Sequence, residues 1–260
     1  MNLGKPPVIE AWVEFRFAVD EGVPAWDEAT AERFFKHHFA DAFTIKDFVG
    51  HYEVEIEAGG GRPTVRQGAP VFDRARASNA DGDRYLQAGR DVLIYNILRR
   101  RGVWPEYRAL RDEAMAAYGK YIDFAKSLAL RSVGLHYRDE VTVPSEGPLI
   151  DLREHITVYP EVPEGVFGPV SNFVMNLTLP EAGTAGILKL MVLTVPFVKP
   201  DATARELRIR LDWHLLSKSS PSTEPKAVSE WLDRAHNELT HAFERCFTRA
   251  AWQRFDPKED

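Results

Sequence analysis

Cysteine is nearly absent from this chain, with one residue, Cys246, in 260. A single thiol cannot close an internal disulfide, so a disulfide-stapled secreted scaffold is excluded and a reducing, cytoplasmic compartment is expected. Long apolar runs are missing as well. The best stretch, 186–198, is interrupted by Lys189 and Pro196 and falls short of the about 18 apolar residues that a membrane helix needs. Residues 1–8 contain two prolines and one lysine around no apolar core, so no secretory leader is expected. Neither sign of charge dominates. The 33 Lys+Arg and 39 Asp+Glu residues give a net charge of −6, which argues against a dedicated basic nucleic-acid binder while leaving room for a local basic groove. With 44% hydrophobic and 28% charged residues the composition is ordinary for a globular protein, so collagen-like and disordered chains are excluded.

The signatures of common catalytic centres are also lacking. The eight histidines never form His-Glu-x-x-His. His37 and His38 are adjacent and point about 100° apart on a helix, and His236 and His241, five apart, lie on different helix faces. There is no Gly-x-Ser-x-Gly nucleophile elbow. The glycines of Gly59-Gly60-Gly61-Arg62-Pro63 lack the Gly-Lys-[Ser/Thr] ending of a phosphate loop and read as a turn. Cys246 falls on an apolar helical stripe, where a small buried residue is expected. Asp81 and Asp83 flank a hairpin glycine, and adjacent Asp139 and Glu140 in a strand face opposite sides, so neither pair suits acid–base work. No metal, no cofactor and no enzymatic activity are expected.

What is present is a pattern of strands with a few long helices. Val8 to Phe17 alternates, with Ile9, Ala11, Val13, Phe15 and Phe17 on one side and Glu10, Trp12, Glu14 and Arg16 on the other. Helices are expected over Asp27–Phe43, Pro105–Lys126 and Lys226–Phe247 from their apolar spacing. Asp81-Gly82-Asp83 carries hairpin chemistry and would join Val71–Ser78 to a strand running Tyr85–Ile97. Further strands are expected over Leu128–Val143, Val170–Leu179, Ile187–Val198 and Ala204–Leu216. In the last, Leu207, Ile209, Leu211, Trp213 and Leu215 oppose Glu206, Arg208, Arg210, Asp212 and His214, the pattern of a sheet with one packed and one polar face. The fold class is therefore α+β, with antiparallel sheets in two lobes, residues 1–145 and 146–260, each covered by a long helix and packed as one unit.

Four blocks carry a family resemblance. They are Pro6-Pro7-Val8-Ile9-Glu10 with Glu14-Phe15-Arg16-Phe17; Leu86 to Asn96 with Trp104-Pro105-Glu106-Tyr107; Leu130 to Asp139; and the last long helix with His236 and Phe243. Together they resemble a sporadically distributed bacterial family of about this length with no assigned function. His136 stands where that pattern has an arginine, and Asp139 near its frequent asparagine. The resemblance implies a fold and no chemistry, and the scattered occurrence of the family implies an accessory role in a defence or toxin–antitoxin-like system.

Arginines offer the clearest candidate chemistry. Arg99, Arg100 and Arg101 follow a strand, while Arg131, Arg138, Arg208 and Arg210 lie within strands and could fork onto phosphates or carboxylates beside aromatic platforms. Nearby Glu10, Glu14, Asp91, Glu140, Glu206 and Asp212 are numerous enough to pair with the strand arginines instead, and pairing is the expectation carried forward. A pocket between the sheet and the last helix is a further candidate, with His136, Arg138, His214 and His236 converging there. The function expected is a binding or accessory module that engages a protein partner or itself. Nucleic-acid binding through the arginines and a small-ligand pocket are the alternatives, and no membrane association is expected.

Overall fold

Residues 2–19, 26–57, 64–100, 102, 104, 106–125, 129–144, 151–160, 173–180, 185–197, 206–218 and 222–258 are described by a computed structural model. The chain begins with β1 (Asn2–Leu3), β2 (Val8–Ala18), α1 (Glu28–Phe39), β3 (Thr44–Glu57) and β4 (Thr64–Ser78). It continues through β5 (Arg84–Gly89), β6 (Val92–Leu98), α2 (Tyr107–Ala125) and β7 (Ala129–Pro144). The remainder holds β8 (Val174–Leu179), β9 (Gly186–Phe197), β10 (Glu206–Ser217), α3 (Pro225–Arg245), α4 (Arg249–Trp252) and β11 (Pro257–Lys258). The fold is mixed α+β with antiparallel pairing throughout, and β1 pairs with β11 as a separate two-stranded ribbon.

The strands expected to build two sheets hydrogen-bond into one. Its nine strands run in the order β3-β4-β5-β6-β2-β7-β10-β9-β8. The join is made by β2 and β7, which pair from Val8↔Asp139 to Ala18↔Ala129 with two register shifts. The expected boundary near residue 145 thus follows a strand that is paired on its other edge with β10. The two halves nevertheless follow one plan. In each, the first strand (β2 or β7) lies at the centre and pairs with the last (β6 or β10), and chain order then runs backward to the outer edge. A long helix closes each half, α2 packing on β6 and β2, and α3 on β10 and β7.

Local chemistry explains the boundaries. The Asp27 carboxylate caps α1, accepting 2.7 Å from the Thr30 amide. Pro225 opens α3, where its missing N–H costs nothing. Gly82 takes the left-handed φ of 68° that the β4–β5 turn requires, and the Asn79 side chain satisfies the amides of Asp83 and Arg84. The expected single strand over Tyr85–Ile97 is two, because Arg90 and Asp91 form a second tight turn between β5 and β6. Residues 44–50, unassigned in the sequence reading, belong to β3. The glycine run at 59–61 lies outside the described residues.

Helices pack on the face formed by the odd-numbered residues of β2 and of β7 from Val133 to Val143, with Leu130 joining them past a register shift. Phe15 meets Tyr118 at 4.8 Å between ring centroids, Phe17 meets Tyr121 at 4.8 Å, and Phe34 of α1 meets Tyr121 edge-on at 5.8 Å. Beneath α3, Trp213, Phe243, Phe247, Trp252 and Phe255 form a second aromatic group. Ile209, Leu211, Trp213 and Leu215 are all buried on this side, as their alternation predicts.

One acid lies on the same side. Asp139 is 2% exposed, its Oδ2 accepts 2.9 Å from the Trp213 indole N–H, and its Oδ1 has no hydrogen-bond partner. Burial pushes its pKa up to about 7; the indole bond opposes that rise and the neighbouring Asp212 charge adds to it. Between about pH 4 and 7 the native carboxyl therefore holds a proton that the unfolded chain releases, and stability falls as pH rises through that window. Replacing Asp139→Asn removes this penalty. Urea unfolding at pH 4.5, 6 and 8 is expected to show the variant gaining on the parent by roughly 2–4 kcal/mol from the lowest pH to the highest. A constant difference between the two proteins would show that Asp139 does not titrate in this range.

Candidate functional site

Directly opposed residues of an antiparallel pair share a face. Applied along the register, this rule places one row of side chains across the sheet on the side away from the helices. The row is Tyr85, Asn96, Trp12, His136, His214 and Lys189, on β5, β6, β2, β7, β10 and β9. A neighbouring row holds Glu10, Arg138 and Asp212. Along β2, β7 and β10 this open face is the polar half of alternating strands, whereas β6 brings Ile94 and Leu98 beside Asn96 and β9 brings Met191 beside Lys189.

A continuous chain of hydrogen bonds crosses six strands here. Arg74 Nε on β4 donates 2.9 Å to Gln87 Oε1 on β5, and Gln87 Nε2 donates 3.3 Å to Asn96 Oδ1 on β6. Asn96 Nδ2 donates 2.9 Å to Glu10 Oε1 on β2, whose Oε2 accepts 2.9 Å from Arg138 Nη1 on β7. Arg138 Nε then donates 2.8 Å to Asp212 Oδ1 on β10. Each group orients the next, and Glu10 is the acceptor on which both directions end. Desolvation works to lower the Arg138 pKa, and the Asp212 and Glu10 carboxylates outweigh it, so the guanidinium is held more firmly charged than usual.

Beside this chain sits an aromatic and imidazole cluster. The Trp12 ring stacks on His136 at 4.8 Å and 7° and meets His214 edge-on at 5.6 Å, and the Arg138 guanidinium lies 5.8 Å over the indole. His136 Nδ1 and His214 Nδ1 are 2.7 Å apart, so one ring donates and the other accepts, and the pair shares one proton between those atoms. Burial pushes both pKa values down, and for His136 the neighbouring His214 adds to the effect. Both rings are neutral at pH 7. In an unfolded chain they would protonate near 6.5, so this pair subtracts stability as pH falls below that value.

The strand arginines meet carboxylates. Arg208 Nη1 lies 2.8 Å and Arg210 Nη2 3.3 Å from Glu140, and Arg16 lies 2.6 Å from Glu14 and 3.8 Å from Asp91. Arg76 pairs with Asp47 on β3. Arg99 and Arg100 lie past the end of β6. Arg99 donates 2.9 Å to the Pro6 carbonyl, and Arg100 is 3.7 Å from Asp81. Arg131 is exposed on β7 at a register shift, and Arg101 lies outside the described residues.

The expected convergence of His136, Arg138 and His214 with His236 does not form. The first three come together on the open face, but His236 is on α3 behind the sheet. There it is hydrogen-bonded to the Tyr137 hydroxyl at 2.9 Å and stacked on Tyr107 at 3.8 Å, with burial pushing its pKa down to about 4. Strand alternation is the reason, since Tyr137 faces the helix and its neighbour His136 cannot. Cys246 is buried at the end of α3, and burial pushes its thiol up to about 11, well away from a nucleophilic thiolate. Among the described residues no group of three or more His, Cys, Asp or Glu could hold a metal ion, and no helix is long and apolar enough to cross a membrane.

Four contributors escape the sequence reading: Arg74, Arg76, Gln87 and Asn96. Gln87 and Asn96 were hidden by the merging of β5 and β6 into one strand. A lone amide inside the apolar run Val92–Leu98 was the available signal, since a buried amide needs designated partners. No protein-family model matches the chain, and no curated protein matches it. The site is therefore read from its geometry.

Gly134 is part of that geometry. A Cβ there would sit well inside van der Waals contact with His136 Nε2 and 2.9 Å from a Leu216 methyl. Gly134→Ala is expected to destabilise the protein by about 1–3 kcal/mol through overpacking. Most of that loss should disappear in the Gly134→Ala/His136→Ala double variant, measured by chemical unfolding. Additive losses would place the clash elsewhere.

Proposed function

We propose that this protein is a binding module whose partner, another protein, docks on the open sheet face around Trp12. The observation that supports this most is the hydrogen-bonded chain from Arg74 to Asp212, in which cations are matched by carboxylates. A polyanion would have to draw Arg138, Arg208 and Arg210 from their partners and leave Glu10, Glu140 and Asp212 behind as like charges. Nucleic-acid binding lives on surplus cations that release counterions, and this face has few to spare. A protein surface tolerates both signs and gains specificity from matching them. A half-buried tryptophan with an oriented arginine over its ring has the composition of an interface anchor. The shared plan of the two halves supports reading them as related units joined at β2 and β7, with the site on the join. An accessory role in a defence or toxin–antitoxin-like system is compatible with a module that binds and does not catalyse.

Tagged capture from the native host, with and without nuclease, tests this reading. The parent is expected to retain a stoichiometric, nuclease-resistant protein partner. Trp12→Ala, checked for folding by its thermal transition, should weaken that complex at least about 30-fold, as removal of an interface anchor does. Arg99→Glu/Arg100→Glu, past the end of β6 and away from Trp12, should leave it intact. Recovery of nucleic acid alone, or of a partner indifferent to Trp12→Ala, would overturn the assignment of this face.

A further inference from the structure

The open face carries a depression of about 300 Å³ lined by Glu10, Arg76, Tyr85, Gln87, Asn96 and Leu98. It lies over β4, β5, β6 and β2, beside the Trp12 cluster. Counting the hydrogen bonds of its lining shows what it is short of. The oxygens are engaged: Gln87 Oε1 by Arg74, Asn96 Oδ1 by Gln87, and the two Glu10 oxygens by Asn96 and Arg138. The donors are not exhausted. A primary amide has two N–H groups, and Gln87 and Asn96 have each spent one. Arg76 uses Nε and Nη2 on Asp47, which leaves its Nη1 side. Tyr85 lines the depression, and its hydroxyl has no hydrogen-bond partner among the described residues. Asn96 is only 8% exposed, so water has little access to an N–H left over on it.

A lining rich in unspent donors, one of them a guanidinium, calls for an anionic acceptor. Charge fixes how anionic. Arg74, Arg76 and Arg138 balance Asp47, Glu10 and Asp212, so a monoanion enters neutral surroundings, whereas a phosphate dianion would bring its second charge against Glu10. The source of the acceptor also follows. A chain-terminal carboxylate is commonly captured by convergent backbone N–H groups, but the amides of these paired strands are committed to the ladder and the free donors are side chains. Leu98 supplies an apolar wall suited to methylenes.

Resting on the protein-docking reading above, we propose that this depression receives an aspartate or glutamate side chain of the partner, its carboxylate held by Arg76, Tyr85, Gln87 and Asn96. The test follows the side-chain amide signals of Gln87 and Asn96 by NMR in the ¹⁵N-labelled full chain. N-acetyl-glutamate N-methylamide is the probe, with N-acetylglycine as the chain-terminal mimic and acetamide and inorganic phosphate as controls. Both amide pairs should shift saturably with the glutamate probe, and with each of the other three at least about 5-fold more weakly. Tyr85→Phe, which removes one hydrogen bond to a charged group and little else, should weaken the glutamate probe about 10-fold. Arg76→Gln should abolish saturation.

Absence of saturable shifts, equal response to acetamide, tighter binding of phosphate or N-acetylglycine, or an unaffected Tyr85→Phe variant would each overturn the proposal. Its failure is separable from failure of the docking reading. Capture that depends on Trp12 without any response to the glutamate probe removes this carboxylate site alone. Saturable shifts with no protein captured would leave an acid-binding site and remove the partner.

Discussion

The pairing of β2 with β7 is the constraint on which the rest of this structure depends. It joins two half-sheets that could each have closed against its own helix, and its register decides what faces what. With Trp12 opposite His136, the odd residues of both strands face the helices and the even residues face away between the two register shifts. A slip by one residue would exchange the sets and bury Glu10, Glu14 and Arg138 beneath α2 and α3 at prohibitive cost. The register is therefore held by the apolar side, through Ala11, Val13, Phe15 and their partners Tyr137, Leu135 and Val133. The polar side inherits its geometry from that core.

That inheritance explains how much of the protein could be read from its residues. The faces of β2 and β10 were legible because single strands with clean alternation report their own parity. The α1, α2 and α3 segments were legible because their apolar stripes have helical spacing, and the observed ends fall within a few residues of the expected ones. Two features were not. The turn at Arg90 and Asp91 is marked only by Gly89 and Asp91 inside an otherwise strand-like stretch, a signal too slight to split Tyr85–Ile97, and the parity of Gln87 relative to Asn96 was lost with it. The merging of the halves into one sheet was equally hidden, because strand neighbours far apart in sequence leave no local trace. His136 and His214, 78 residues apart, meet only because β7 and β10 pair.

Charge at the centre of the sheet follows one rule, most visible along β7. His136 is neutral because burial and its neighbour His214 oppose protonation, and Tyr137 keeps its proton because burial opposes ionisation. Asp139 holds a proton up to about pH 7 for the same reason. The charged groups beside them, Arg138 and Glu140, both lie on the open face, and both meet partners of opposite sign on β10. Charge thus survives along this strand where solvent and a counter-charge are both at hand, and is suppressed where neither is.

The consequence for recognition is that the open face is already organised before anything binds. Arg138 is held between Glu10 and Asp212, the amides of Gln87 and Asn96 are oriented by the groups on either side, and Trp12 is fixed by stacking on a ring that is itself buried. Side chains held this way have surrendered much of their rotamer freedom during folding, so a partner need not repay that entropy at each contact. On the proposed docking reading, the bonds that occupy these arginines favour a surface of matched and opposite polarity over a polyanion. A partner that offers acceptors to the spare amide and guanidinium N–H groups gains interactions without breaking the chain that positions them, and one that competes for Glu10 or Asp212 has to break it first.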